Sequence, residues 1–361
     1  MNKNLLKVVK SLGLNPDEEA QFISCLENER AARPAIIWTR QRAANTPFYS
    51  IPINLVPLGF NQKDETGSDP GLNQSSSHNL NPNESSSRLN EYFEFIDMLS
   101  TGQNPGSHKL HEEGEIYCLD FSSVFAVSVL AEARWEGERA PRLVVDTCSS
   151  PGGKAVYAWR AIKPERLICN EVIGSRISAL ISNIKRCSIT PTIVTNADTA
   201  HLAASLSEMA DLVLVDAPCS GQSLPAKGGK AVGAFHPSTI NMNSNRQKRI
   251  LANAAKLVAP GGYIAYMTCT FSKDENEGVI KWFLKRFPSF EPLVVPHLER
   301  FRSSLTDLSC YRLFPHQGLG AGAFTCLLRR KPNEEDDTSS SQIDWTTFKC
   351  IWRNDLPFGT W

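Results

Sequence analysis

Five short apolar runs, each ended by a polar or glycine-bearing turn and followed by helical periodicity, recur between residues 142 and 268. They are RLVVD, LICNEV, PTIVTNAD, DLVLVD and GYIAYM, and the alternation predicts parallel strands joined by crossover helices. The stretches EPLVVP and FTCLLRR add a closing pair, giving an α/β class with a seven-stranded, mostly parallel sheet. In doubly wound sheets of this kind ligands gather beyond the carboxyl ends of the strands, where the strand order reverses. The turns after the five runs are therefore the places to look for chemistry.

Two of those turns carry a cysteine. DAPCSG, residues 216 to 221, places Cys219 after one strand, and YMTCTFSKDENE, residues 266 to 277, places Cys269 after another. A strand-end cysteine ordinarily packs as a small hydrophobe. Here Asp216 and Pro218 flank one thiol and Glu275, Asn276 and Glu277 follow the other, polar turn-forming sequence that reads as the rim of a shared cleft. The first run leads into DTCSSPGGK, which lacks the GxGxxG of dinucleotide folds but meets a similar need. Gly152 and Gly153 let backbone approach a ligand, and a helix opening at Lys154 offers free N–H groups to an anion. Glu171 ends the second strand, placed to accept ribose hydroxyls, and Asp198 ends the third, suited to polar contacts around an adenine.

Charge excludes little by itself: 38 Lys and Arg face 38 Asp and Glu in 361 residues. The basic residues gather locally, at Arg30, Arg33, Arg40 and Arg42 and again at Arg246, Lys248 and Arg249. Such patches are what a phosphate backbone feels, although each also reads as a solvated face. The ten cysteines form no CxxC and there is no HExxH, so no metal is expected. Nothing resembles a secretory leader or a bilayer-length apolar run, which predicts reduced thiols in a cytoplasmic protein without membrane contact.

Residues 1–113 read as an N-terminal accessory region: helical spacing over 4–12 and 17–31, the second helix opened by Asn15, Pro16 and Asp17, then strands within IIWTRQRAANTPFYSIPINLVPLGF. Within it, residues 61–90 are too polar to bury a core and predict a mobile insertion. Residues 114–332 form the expected catalytic domain. Residues 333–361 are an acidic linker and a tail whose tryptophans suggest docking on the body or on a partner.

The series DTCSSPGGK, NE with Arg176, NAD, DAPCSG, PGG then YMTCT with DENE, and RLFPHQG resembles the Sun family of RNA cytosine-5 methyltransferases, especially bacterial enzymes acting on small-subunit ribosomal RNA. The resemblance covers roughly residues 114 to 331 in six ordered blocks, with CSSPGGKA where the family usually has CAAPGGKT and GLGAGAF where it has Gly-Phe-Phe. It implies a Rossmann-like fold dependent on S-adenosylmethionine, with an N-terminal RNA-recognition region. Carried over by position, Cys148, Ser149, Ser150, Pro151, Gly152, Gly153, Lys154, Glu171, Asp198 and Asp216 resemble the cofactor site. Cys269 resembles the nucleophile, and Cys219 the second cysteine that assists product release.

The chemistry such a family performs explains the residue types. Carbon 5 of cytosine is a poor nucleophile until a thiolate adds at carbon 6. Asp216 is a candidate to hydrogen-bond the base, and Lys154 to contact either cofactor or base. The target must be single-stranded or flipped out, as RNA loops allow. The expected partner is RNA, ribosomal before transfer RNA, and the expected state is a monomer. Two other readings stand beside this one. A DNA-type cytosine methyltransferase would attack with Cys219, and a non-catalytic assembly factor would keep the fold as an RNA-binding scaffold.

Overall fold

The computed structural model describes residues 3–28, 31–42, 46–48, 50–51, 92–135, 139–332 and 344–355. Arg30 and the expected mobile insertion at 61–90 lie outside the described residues. The chain opens with helices α1 (Lys3–Lys10) and α2 (Pro16–Glu27). Asn15 begins α2 as expected: its side chain accepts from the Glu18 N–H at 3.0 Å, and the Glu18 carboxylate takes the Asn15 N–H at 2.9 Å. That reciprocal pair satisfies two of the donors a helix start leaves free.

Four short strands follow, β1 (Pro34–Trp38), β2 (Ser50–Ile51), β3 (Ile96–Leu99) and β4 (Ile116–Asp120). They form an antiparallel sheet in the order β2-β3-β1-β4. The strand that opens the expected catalytic segment at 114 thus pairs with the N-terminal sheet, Ile36 opposite Cys118. Two short helices, α3 (Lys109–Glu112) and α4 (Phe121–Val127), flank it.

The large sheet is built from β5 (Val144–Asp146), β6 (Leu167–Asn170), β7 (Thr192–Thr195), β8 (Ala210–Asp216), β9 (Val258–Thr268), β10 (Phe290–Pro292), β11 (Tyr311–Leu313), β12 (Ala323–Arg330) and β13 (Trp352–Arg353). Its order is β10-β12-β9-β8-β5-β6-β7-β13, with β11 on β12. The seven expected strands are present, and β11 and β13 are short additions. Strands β5 to β9 are parallel to one another, and β12 beside β9 and β13 beside β7 are antiparallel. The order runs outward from β5 to β7 and then restarts at β8 on the other side of β5. That reversal is the switch point at which such sheets bind ligands.

Alternation along the strands decides which helix covers which face. Val144, Leu212, Leu214 and Met267 face α5 (Gly153–Ile162) and α6 (Gly174–Arg186) through Val156, Tyr157 and Leu180. Val145, Val213, Val215 and Ile264 face α7 (Thr199–Ser205), α8 (Pro237–Leu257) and α9 (Glu277–Arg286) through Leu202, Leu251 and Phe283. Among the described residues no helix is long and apolar enough to cross a membrane.

The tail docks on the body. Strand β13 pairs antiparallel with β7, Trp352 opposite Val194, and Asn354 brackets it by accepting from the Thr192 N–H at 2.7 Å. Arg166 lies 4.3 Å from the ring centre of Trp345 and donates to Asp355 at 2.9 Å, so a cation–π contact and an ion pair fasten the same segment. The sheet edge at β7 is covered by this addition, which removes an open template for pairing.

A third apolar cluster joins the N-terminal helices to the loops beyond the sheet. Leu5, Val9, Phe22 and Leu26 pack with Ala226, Ala234, Phe235 and Phe271. Phe22, fully buried, meets the edge of Phe271 at 4.8 Å, two residues after Cys269. Phe22→Ala should therefore cost about 3–5 kcal/mol in urea unfolding, the range for a buried aromatic cut to alanine. A loss under about 1 kcal/mol would mean that α2 is not part of the cooperative core.

Candidate active site

Parallel pairing of β8 with β9 sets Asp216 opposite Met267 and so carries the two cysteine loops forward side by side. Cys219 Sγ and Cys269 Sγ lie 3.3 Å apart, both half-buried. Lys154, one residue into α5, reaches across to Asp216 with Nζ 2.6 Å from Oδ2. Lys227 stands near, 3.7 Å from Asp120 at the end of β4.

One thiol of the pair is biased to ionise. With Cys219 as donor of the hydrogen bond the two sulfurs share, and despite burial and the Asp216 charge, that bond with Lys154 and Lys227 pulls the Cys269 pKa down to about 7. Cys219 moves the other way, raised by donating to Cys269, by burial, by the Cys269 charge and by Glu275. Burial works against the Lys154 ammonium, but Asp216 outweighs it and raises its pKa, keeping the cation beside the sulfurs.

The polar residues after Cys269 are not a rim. Glu275, Asn276 and Glu277 are all fully buried, which corrects the sequence expectation, and each organises a loop. Glu275 takes Ser220 N–H at 2.9 Å, Ser220 Oγ at 2.5 Å and Gln247 Nε2 at 2.9 Å. Asn276 accepts from Thr268 Oγ1 at 2.6 Å and donates to the Thr270 carbonyl at 2.9 Å. Glu277 forms a two-pronged ion pair with buried Arg312, accepts from Ser303 Oγ at 2.6 Å, and leaves Arg312 free to donate to the Phe271 carbonyl at 3.0 Å. Gln222 and Gln247 complete the frame. The first accepts from Phe271 N–H at 3.0 Å and donates to the Ala234 carbonyl, and the second donates to the Pro218 carbonyl at 3.1 Å. Gln222 directly follows the DAPCSG turn and was within reach of a sequence reading. Gln247, one turn among many on α8, gave no signal.

Along the ends of β5, β6 and β7 lie the other sequence-predicted residues. Cys148 N–H donates to Asp146 Oδ1 at 3.2 Å, Ser149 N–H to the Asn170 carbonyl at 2.8 Å, and Ser150 Oγ to the Arg176 carbonyl at 2.9 Å. The carbonyl of exposed Pro151 accepts from Asn183. Burial, with the Asp146 charge, pushes the pKa of the Cys148 thiol up. Gly152 adopts φ +111° at the start of α5, a conformation side chains rarely take. A Cβ at Gly152 would meet Leu180 at 3.2 Å and one at Gly153 would meet Tyr117 of β4 at 3.0 Å. The glycines thus let the loop lie close against protein on those sides, where the sequence suggested close approach to a ligand.

Glu171 is buried; its Oε1 accepts from Ile173 N–H at 2.9 Å, while Oε2 has no hydrogen bond and lies 3.3 Å from Arg176 Nη1. Asp198 is engaged in structure: one oxygen caps α7 by accepting from Ala200 N–H at 2.9 Å, and the other is 3.8 Å from Arg249. Asp146, unremarked in the sequence reading, is fully buried with Oδ2 unpartnered, and burial together with Asp216 raises its pKa to about 7. Three buried polar oxygens lack a hydrogen-bond partner, Asp146 Oδ2, Ser149 Oγ and Glu171 Oε2, the last held only by its ion pair with Arg176, and they follow the adjacent strands β5 and β6. Buried polar groups are ordinarily satisfied. These fit a ligand that brings both hydroxyls and a positive centre, as S-adenosylmethionine does. Among the described residues no cluster of His, Cys, Asp and Glu is arranged to hold a metal.

Arg312→Leu would leave Glu277 buried and unpaired and should cost about 3–5 kcal/mol in denaturant unfolding. Adding Glu277→Leu should recover most of that loss, whereas equal losses in the single and double variants would show that packing and not charge sets the cost. Asp146 gives a pH prediction. Its folded-state pKa of about 7 lies above the ordinary 3.8, so its contribution to stability is complete below pH 3.8 and is lost as pH rises through about 7. Melting of the ligand-free protein across that window should fall more steeply with pH for the native chain than for Asp146→Asn, and parallel curves would show that Asp146 is not protonated in the fold.

Comparison with known proteins places this geometry. The family described as 16S rRNA methyltransferase RsmB/F matches residues 135–329. Ribosomal RNA small subunit methyltransferase F from Escherichia coli is 31% identical over 231 residues, which is 62% of this chain and 47% of the relative. The protein of the same name from Pectobacterium carotovorum is 30% identical over 244 residues, 66% of this chain and 49% of that one. The chain thus spans about half the length of the curated relatives it matches. The crystal structure of NSun6 from Pyrococcus horikoshii with SFG shares the fold, with a TM-score of 0.62 at 17% identity over 92% of this chain and 99% of that one. With a match over more than half of its residues, the chain belongs to the 16S rRNA methyltransferase RsmB/F family.

Proposed function

We propose that this protein transfers a methyl group from S-adenosylmethionine to carbon 5 of a cytosine in RNA, with small-subunit ribosomal RNA as the substrate class. The observation that carries the reading is the pair of thiols 3.3 Å apart at the ends of neighbouring parallel strands, unequal in charge and flanked by Lys154 and Asp216. Family membership and the relatives' names support the ribosomal substrate. Exposed Arg246 and Arg249 and half-buried Lys248, together on α8, are candidates for phosphate contacts.

Bound S-adenosylmethionine would supply an electrophilic methyl group on a positively charged sulfur. Glu171 would accept ribose hydroxyls, the 148–154 loop and Asp146 would face the amino-acid end and the positive centre, and Asp198 would border the adenine. Cys269 attacks carbon 6 of a flipped-out cytosine as a thiolate, forming a sulfur–carbon bond and enriching carbon 5. Lys154 and Asp216 hydrogen-bond the base edge as charge builds on the ring. As the thiolate adds, the Cys219 proton passes to nitrogen 3 of the ring, neutralising the charge placed there and leaving Cys219 as a thiolate; the nitrogen 3 proton goes to water when the product is released. Once carbon 5 is methylated, Cys219 takes the proton of carbon 5, the carbon 5–carbon 6 double bond re-forms, and Cys269 leaves as a thiolate. The bias of charge toward Cys269 supports these roles over the DNA-type order, in which Cys219 would attack.

The two thiols predict opposite phenotypes. Cys269→Ala should abolish methyl transfer and form no protein–RNA adduct. Cys219→Ala should permit addition and methylation but stall elimination, so a covalent complex should accumulate as a slow band on a denaturing gel with cofactor and unmodified ribosomal RNA. An adduct formed by Cys269→Ala would defeat the assignment, and near-normal turnover in both variants would return both cysteines to packing.

A further inference from the structure

We propose that Glu275 is a positioning residue that yokes the two thiols, holding on one carboxylate the residues that follow Cys219 and Cys269 and setting its charge on the Cys219 side of the pair; this rests on the two-thiol reading above. Ser220, next to Cys219, gives Glu275 both its N–H at 2.9 Å and its hydroxyl at 2.5 Å. Thr270, next to Cys269, is tied to Ser220 Oγ at 2.7 Å and lies 3.4 Å from Glu275 Oε1. Gln247 adds a further donor from α8. Burial raises the Glu275 pKa and this donor set works against that rise, a set that suits a carboxylate, whose two oxygens accept only.

The charged groups around the sulfurs divide into two sides. Glu275 is bonded to the Cys219 loop, and Tyr266 beneath it donates to the Glu275 carbonyl at 2.7 Å. Lys154 from α5, paired with Asp216 of β8, and Lys227 from the turn at 224–227 act on Cys269. The Cys219–Cys269 hydrogen bond, with Glu275 on the Cys219 side and the two lysines acting on Cys269 against the Asp216 charge, favours the thiolate on Cys269, and the shared carboxylate fixes the distance between the sulfurs. Glu275→Gln isolates the charge from the frame. The amide oxygen can keep the Ser220 and Gln247 N–H donors, and the Ser220 and Thr270 hydroxyls can turn to accept from the amide nitrogen.

The test is partial alkylation of the 361-residue chain with iodoacetamide at roughly pH 6–9, across the range where cysteine thiols titrate, with labelled peptides counted by mass spectrometry. In the native chain Cys269 should label ahead of Cys219 by about tenfold or more, a gap of one pKa unit. Glu275→Gln should retain the native melting temperature and reduce that preference by about tenfold. Ser220→Ala, which cuts one of the links, should reduce it partway and serves as the reporter if Glu275→Gln does not fold. An unchanged preference in folded Glu275→Gln, or in Ser220→Ala where only that variant folds, overturns the role of Glu275. Native protein that labels first at Cys219 overturns instead the assignment of Cys269 as nucleophile, so the two failures are distinguishable.

Discussion

Everything at this site depends on the parallel pairing of β8 and β9. The register that sets Asp216 against Met267 brings two loops, about 50 residues apart in sequence, to a sulfur–sulfur distance of 3.3 Å. Because side chains alternate along a strand, a slip of one residue would turn Tyr266 and Val215 from one core to the other and carry the loops out of line. Register is strongly specified here because both faces of these strands are buried, Leu214 and Met267 under α5 and α6, Val215 and Tyr266 under α8 and α9.

A sheet end alone does not hold two thiols at contact distance. The loops are irregular backbone, and irregular backbone that is buried needs partners for its polar groups. Here the partners are a carboxylate, amides and a guanidinium: Glu275 for the Cys219 loop, Gln222 and Arg312 for the segment around Phe271, Asn276 for Thr268 and Thr270. Buried charges of this kind add little net stability, since desolvation offsets much of the attraction. Their effect is geometric and electrostatic. They hold the thiols in one arrangement and place negative charge near Cys219 while Lys154 and Lys227 act on Cys269.

The N-terminal segment is bound into this arrangement. Phe22 of α2 seats against Phe271, the Arg33 side chain donates to the Gly318 carbonyl at 2.6 Å, and the Asp120 carboxylate accepts from Arg33 N–H and Ala321 N–H. Tyr117 fills the space beside Gly153 at the start of α5. An accessory sheet fixed at these points reports its position directly to the thiol loop and to the glycine turn. The physical consequence is that this sheet is held at a constant offset from Cys269.

The sequence by itself determined the strands, the turns and the residue types at the site. Apolar runs with abrupt polar ends are local signals, and so are the Asn15 cap, the glycine turn before Lys154 and the two cysteine turns. The ordered blocks also made the family legible. What only the tertiary structure decided is which polar groups meet. Glu275, Asn276 and Glu277 read as a rim and are interior. Asp198 read as a ligand-facing residue and spends one oxygen on a helix cap. Asp146 passed without comment and is a buried acid with an unpartnered oxygen, and the tail, left open between body and partner, pairs with β7. The reason is common to all of them. Periodicity and turn chemistry are set by residues a few positions apart, whereas burial of a charge and the choice of its partner depend on strands, loops and helices brought together from distant parts of the chain.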